Sequence, residues 1–354
     1  MKKTMQPIGG EQFYSPLKLI SLPKNNIRNY FRERFPGKHL TYTYGGYYSL
    51  RVILQHLKLS KDEKVLLPSY MCPTILYPFK ELGILYEFYK VNNNLQIDLG
   101  ELTKRLDGKA KVVFFINYFG FKQSDEVITA LLKLKESGII IIQDVVQDFY
   151  VQNNDLIGNY AFMSFRKFFP CEGSIIISQD KIDDVVIKGK NKAYFNNKLK
   201  GRFWRYYHYK YDCDEKRFLT LFEKANKSYR LPENIKFTKY DEYVLNRIDF
   251  EKDKETRRCN FKLLIDHLGD KGLFKSLPDN VVPLVFPVIV RERSNLQRKL
   301  RENNIYCPVH WMLSDDIVNK EFKDSRLLSE HILSIPIYAN RDYKLVVKYL
   351  NSVI

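Results

Sequence analysis

The chain has 354 residues, about twice a common domain length of ~150, with 45% hydrophobic and 28% charged side chains. That composition excludes disorder as the main state. Against 41 Asp and Glu stand 58 Lys and Arg, a net charge of +17. Such a balance favours anionic partners, whether phosphorylated small molecules, nucleic acid or a membrane face.

Five cysteines, Cys72, Cys171, Cys213, Cys259 and Cys307, are scattered and odd in number. No CxxC pair occurs, so neither a zinc site nor a disulfide framework is expected, and a reducing cytoplasmic compartment fits best. The opening MKKTMQPIGGEQF has two lysines but no apolar stretch behind them, unlike a signal peptide. No apolar run approaches the ~20 residues that cross a bilayer.

From about residue 47 helical and strand periods alternate. Leu50, Ile53, Leu54 and Leu57 recur on one face of an amphipathic helix. Val65-Leu66-Leu67 is a short strand ended by Pro68. A helix over Ile75–Leu82 stops at Gly83, and a strand rich in aromatics covers Leu85–Val91. Val112–Ile116 is apolar on both faces, as a strand inside a parallel sheet must be. A helix over Asp125–Glu136 closes at Gly138. Ile139–Ile142, Tyr160–Phe165 and Ser174–Ser178 are the next strands.

This alternation predicts an α/β domain whose central, mostly parallel sheet is flanked by helices. Ligands of such sheets bind at the carboxyl ends of the strands. The loops after Leu67, Ile116, Ile142 and Phe165 are therefore where chemistry is expected.

Beyond residue 185 the character changes. Residues 188–210 hold eight Lys and Arg, no acid and many aromatics. One helix is expected over Asp241–Leu268, a strand at Leu284–Val290, then helices at Asn295–Asn303 and Arg341–Val353. The expected organisation is an N-terminal arm (1–30), a large α/β domain (31–240) with a basic, aromatic insertion at 188–235, and a smaller C-terminal α+β domain (241–354).

Four features fall on the predicted ligand edge. Tyr44-Gly45-Gly46-Tyr47-Tyr48-Ser49 leads into the first amphipathic helix, where backbone N–H groups can close on a phosphate; a plain tight turn reads equally well. Asp144, in Gln143-Asp144-Val145-Val146-Gln147, follows the most apolar strand. It suits a metal ligand, a general base or the counter-ion of a protonated ring nitrogen, and equally a helix N-cap. Lys167, beside Arg166 and aromatic residues, would have its ammonium form disfavoured, as Schiff-base chemistry needs; a plain surface lysine is the simpler alternative. Asn117-Tyr118-Phe119-Gly120 is either a site loop or ordinary turn chemistry.

Taken together, a phosphate cup, an Asp after one central strand and a Lys after the next are the parts that pyridoxal 5'-phosphate (PLP) requires. At these residues the chain resembles the DegT/StrS-type sugar aminotransferases, PLP enzymes of fold type I in the aspartate aminotransferase superfamily. Asp62–Tyr70 (DEKVLLPSY), Asn117–Gly120, Gln143–Gln147, Ser164–Gly173, Ile305–Trp311 and Leu328–Pro336 carry the resemblance, which spans nearly the whole chain.

The resemblance implies that Lys167 is the Schiff-base lysine and proton carrier and that Asp144 faces the pyridinium nitrogen. Gln147 would sit near the phenolic oxygen. Gly46, Tyr47, Tyr48 and Ser164 would belong to the phosphate cup, with Cys72 and Asn117 also at the cofactor. Arg166, His310 and Trp311 would face substrate. It further implies an amino acid donor, typically glutamate, a keto group on a nucleotide-linked sugar as acceptor, and a homodimer.

The sequence departs from that family at three points. Ser164 and Lys167 are closer together, Cys72-Pro73 stands where a ring-stacking aromatic is usual, and Val145-Val146 replace an alanine pair. No asparagine matches the one that the neighbouring subunit gives to the phosphate. Other PLP chemistry (dehydration or a retro-aldol step) uses the same parts. A degenerate PLP fold acting as a regulator, and a nucleic-acid binder built on residues 188–210, are the readings from other classes.

Overall fold

The computed structural model describes residues 7–13, 15, 19–318, 322–338 and 343–353. Residues 1–6, 14 and 16–18 of the expected N-terminal arm, and Arg341 and Asp342 of the expected closing helix, lie outside them.

After helix α1 (Ile27–Arg34), seven strands form one sheet: β1 (His39–Thr43), β2 (Lys64–Pro68), β3 (Leu85–Tyr89), β4 (Ala110–Ile116), β5 (Ile140–Asp144), β6 (Tyr160–Ser164) and β7 (Ser174–Ser178). Their spatial order is β1-β7-β6-β5-β4-β2-β3. The pairs from β6 through β3 are parallel, while β7 alone is reversed, antiparallel to β6 on one side and to the edge strand β1 on the other. The mostly parallel α/β architecture is the one expected. β4 and β5 lie in its middle and are buried on both faces, which their unbroken apolar runs anticipate. β1, missed by the sequence reading, is an edge strand with intermediate exposure and too few apolar residues to announce itself.

Helix α2 (Gly46–Leu57) joins β1 to β2, and α3 (Leu76–Leu82) joins β2 to β3. Gly83 ends α3 at φ +66°, the left-handed turn that stops a helix cheaply. Helix α4 (Leu99–Lys104) precedes β4, and α5 (Asp125–Glu136) crosses from β4 to β5 with Ser124 as its N-cap. A buried hydroxyl relay, Thr43 Oγ1 to Ser49 Oγ at 2.8 Å and on to Ser174 Oγ at 2.7 Å, pins the first turn of α2 to β1 and β7.

The basic segment is a helical hairpin, α6 (Lys192–Tyr211) and α7 (Lys216–Lys227). The helix expected over Asp241–Leu268 is instead two, α8 (Lys239–Leu245) and α9 (Phe250–Leu268). The break is fixed by a segment distant in sequence. The Asn246 carbonyl accepts N–H bonds from Lys24 and Asn25, and its side chain accepts the Ile27 N–H. Asp249 then caps α9 at Lys252 N. Strand β8 (Val285–Ile289), helix α10 (Arg293–Glu302), helix α11 (Lys323–His331), strand β9 (Ile332–Pro336) and helix α12 (Tyr343–Val353) complete the C-terminal part, with β8 and β9 antiparallel. Ile8-Gly9 of the arm pairs in parallel with Ile305-Tyr306, which brings the N-terminus across to the C-terminal part.

Candidate functional site

The carboxyl ends of β4, β5 and β6 and the N-terminus of α2 converge on one cavity of ≈ 330 Å³, as the loop positions predict. Gly46, Tyr47, Cys72, Asp144, Gln147, Ser164, Arg166, Lys167 and Trp311 line it. Nine of the sequence-selected residues are thus brought together.

Asp144 ends β5 and is 5% exposed. Its Oδ1 accepts the Val146 N–H at 2.8 Å. Burial pushes its carboxyl up to about 7, although the Val146 N–H and the Lys167 charge pull the other way. An anion here needs a cation, and a ring N–H⁺ in this cavity would supply one.

Gln147 is 1% exposed. Its Oε1 accepts the Phe119 N–H at 2.9 Å, which fixes the amide's orientation, and its buried Nε2 has no partner. A donor held in a cavity without an acceptor is costly. An oxygen-bearing ring in the cavity would satisfy it, so the residues fit the cofactor that the sequence pattern implies.

Lys167 follows β6 in a 3₁₀ turn, Phe165–Lys167, and is half-buried at the cavity wall. Its pKa is lowered, by burial first and by the neighbouring Arg166 cation, with Cys72 and Asp144 opposing. A neutral amine is the nucleophilic form. Ser164 is buried and lines the same cavity, as does Cys72, whose Sγ lies 3.0 Å from Thr74 Oγ1.

At the far end of the cavity Gly45 has an extended backbone and Gly46 opens α2. A Cβ on Gly45 would stand 2.2 Å from the Tyr229 hydroxyl, so glycine is needed there for a close approach. The first-turn N–H groups of α2, with the helix dipole behind them, make an anion seat.

Two selected residues are placed elsewhere. The Tyr48 hydroxyl donates to the Tyr229 carbonyl at 2.6 Å and accepts the Leu231 N–H, so its side chain holds a loop and is not among the cavity lining. Asn117 donates through Nδ2 to Asp148 at 3.0 Å, beneath the site, and is not among the lining either. Tyr47 lines the cavity, but its hydroxyl donates outward to Glu81. No aromatic from the loop after β2 lines the lysine end: Tyr70 is buried and donates to the His310 carbonyl.

A second cavity of ≈ 320 Å³ lies on the other side of Arg166 and Lys167, which line both. Gly9, Gly10, Glu11, Arg301, Tyr306 and His310 border it, so the arm segment Gly9-Gly10-Glu11 does reach the site. Burial, helped by Lys167, pushes the His310 pKa down and leaves a neutral imidazole, whose Nδ1 lies 2.8 Å from Ser334 Oγ. The sequence reading missed Asn226, Tyr229 and Arg230 on the first cavity, because the hairpin delivers them from far along the chain.

The basic segment turns three of its eight cations inward and leaves Lys188, Lys190, Lys192, Lys200 and Lys210 exposed. Lys198, Arg202 and Arg205 are at most 7% exposed. Lys198 and Arg202 hold Glu11, Arg202 also holds Glu172, and Arg205 donates to the Gly9 carbonyl. Among the described residues no group of three His, Cys, Asp or Glu side chains is placed to hold a metal ion, and no helix is long and apolar enough to cross a membrane.

No family model matches the sequence. A GDP-perosamine synthase from Vibrio cholerae is 22% identical over 183 residues, which is 49% of this chain and 48% of that protein; the match spans about half the length of either. Solved structures align over nearly the whole chain. A DegT/DnrJ/EryC1/StrS aminotransferase from Brucella abortus matches with TM-score 0.68 at 15% identity, covering 96% of this chain and 91% of its own. The sugar aminotransferase CalS13 from Micromonospora echinospora matches with TM-score 0.69 at 14% identity, covering 98% and 100%. The E. coli GDP-4-keto-6-deoxy-D-mannose-3-dehydratase with bound hydrated PLP matches with TM-score 0.71 at 16% identity, covering 99% of both. The chain has the fold of these PLP proteins.

Proposed function

We propose that the chain is a PLP-dependent aminotransferase. It would move an amino group from an amino acid, glutamate, to a keto group of a nucleotide-linked sugar. We place it as a cytoplasmic homodimer serving surface-polysaccharide or natural-product biosynthesis. One observation carries the reading: Asp144 and Lys167, from adjacent strands, line a single cavity headed by the glycine-opened N-terminus of α2. The sugar aminotransferases that share the fold, and the partial match to GDP-perosamine synthase, support the substrate class.

When bound, PLP supplies an electron sink for the electrons of a breaking Cα–H bond and a carbon that can carry the amino group. Asp144 would keep the proton on the ring nitrogen. Gln147 Nε2 would donate to the ring oxygen. The first-turn N–H groups at Gly46 and Tyr47, with Ser164 Oγ, would seat the phosphate. Lys167 Nζ would anchor the aldehyde carbon and, once displaced by substrate, move the proton at Cα. Arg166, Trp311 and neutral His310 line the approach from the two cavities. The cations there suit a diphosphate or a carboxylate.

The test is the half-reaction. Protein loaded with PLP and mixed with L-glutamate should lose its yellow colour and release one equivalent of 2-oxoglutarate, and a keto-sugar nucleotide should then restore the colour. Loaded protein that holds its colour with every amino acid offered, yet releases water or ammonia from a sugar nucleotide, would replace transamination with elimination chemistry.

A further inference from the structure

The α6–α7 hairpin has a role beyond packing, resting on the cofactor reading above. Its two helices cross closely because α6 has Gly201 at the crossing; a Cβ there would stand 2.5 Å from the Phe222 ring on α7. The chain leaving α7 is then fixed from two sides. Asn191, which caps α6, donates through Nδ2 to the carbonyls of Ser228 at 2.5 Å and Tyr229 at 3.0 Å. Tyr48, from the first turn of α2, donates to the same Tyr229 carbonyl. A segment held so firmly can place side chains with precision.

Those side chains are Asn226, Tyr229 and Arg230, and all three line the cavity that also contains Gly46 and Ser164. The Tyr229 hydroxyl closes on Gly45 at the helix N-terminus. The Asn226 carboxamide has no side-chain hydrogen bond among the described residues. The Arg230 guanidinium lies 3.8 Å over the Tyr77 ring, and its Nη1 is 3.6 Å from Glu81 Oε1, an exposed and weak pairing. A phosphate monoester carries nearly two negative charges, and a helix N-terminus offers only about half a positive one. Of the cations on this cavity, Lys167 is committed to the aldehyde end, and Arg166, 5.2 Å over the Tyr229 ring, is shared with the second cavity. Arg230 remains.

We propose that the hairpin is the cofactor's phosphate clamp. Arg230 supplies the balancing cation and Asn226 a neutral donor, so that one chain completes its own phosphate seat. Tyr77 holds the guanidinium plane in place, and a fork of parallel N–H groups suits phosphate oxygens better than a point charge does.

Cofactor binding to the apoprotein, followed by absorbance, tests this without any turnover. Titrations with PLP are compared with titrations with pyridoxal, which has the aldehyde and ring but no phosphate. Arg230→Met should weaken PLP binding about tenfold or more, and Asn226→Ala several-fold, with pyridoxal binding unchanged in both. Inorganic phosphate should compete with PLP for the wild type and much less for Arg230→Met. Arg230→Lys should recover part of the loss, which a merely unfolded Arg230→Met would not predict. Unchanged PLP affinity, or an equal loss for PLP and pyridoxal, would overturn the clamp while leaving the cofactor reading intact. A wild-type protein that binds neither ligand would overturn both.

Discussion

A carboxyl group at the end of a buried strand is in conflict with its surroundings until a cation joins it. Asp144 is held by one N–H, from Val146, and burial pushes it up to about 7. Its folded value therefore lies above that of the unfolded chain. The native apoprotein favours the protonated acid, and Asp144 costs stability increasingly as pH rises from about 4 to about 7. Asp148 and Asp241 are pushed up to about 7 by burial as well, so Asp144 accounts for one part of that slope. Asp144→Asn is expected to stabilise the apoprotein at pH 8 by on the order of 2 kcal/mol and to change little at pH 4. The same change should slow the PLP-loaded enzyme roughly 10²–10³-fold, the loss that follows removal of a preorganised charge. Thermal unfolding at the two pH values, beside turnover, checks both halves. A variant destabilised at pH 8 would mean that the carboxylate is already compensated in the apoprotein.

Among the elements, the N-terminal arm is tied to the hairpin by one residue. Burial raises the Glu11 carboxyl, but Lys198 and Arg202 outweigh it and hold the group at about 2. That is below its unfolded value of 4.5, so the tether contributes fully above pH 4.5 and is lost as pH falls toward 2. Wild type should lose about 1–3 kcal/mol more than Glu11→Gln between pH 5 and pH 3, with arm cleavage by an acid-active protease rising in parallel. Parallel unfolding curves for the two proteins would show that the ion pairs do not hold the arm. This tether also shows what sequence could and could not reveal. Elements carried by periodicity were legible, α5 and β7 to the residue, and so were the loops bearing Asp144, Gln147 and Lys167. Edge strand β1 was not, since solvent on one side relaxes its need for apolar residues. The break between α8 and α9 depends on Asn246 binding a segment more than two hundred residues away. The inward aim of Lys198 and Arg202 depends on acids from the arm and the lysine loop, that of Arg205 on backbone carbonyls of the arm, and no local pattern encodes it.

At the scale of the whole molecule, two groups of basic side chains stand out from a chain of net charge +17. One is buried as scaffolding, in Lys198, Arg202 and Arg205 of α6 and in Arg257, which is fully buried and bonds Asp253 and the Leu284 carbonyl. The other surrounds the cavities, where Arg166, Arg230 and Arg301 face space suited to anions. Lys167 lines both cavities, so one amine faces the first cavity and the one bordered by the arm and the C-terminal part. The account depends on that amine. The direct test is the visible spectrum of purified protein with PLP, before and after borohydride, for wild type and Lys167→Ala. The account predicts a yellow wild type whose chromophore becomes covalently fixed to the peptide containing Lys167, and no fixed chromophore in the variant. A wild type that stays colourless with added PLP, or a chromophore fixed equally in Lys167→Ala, would contradict it.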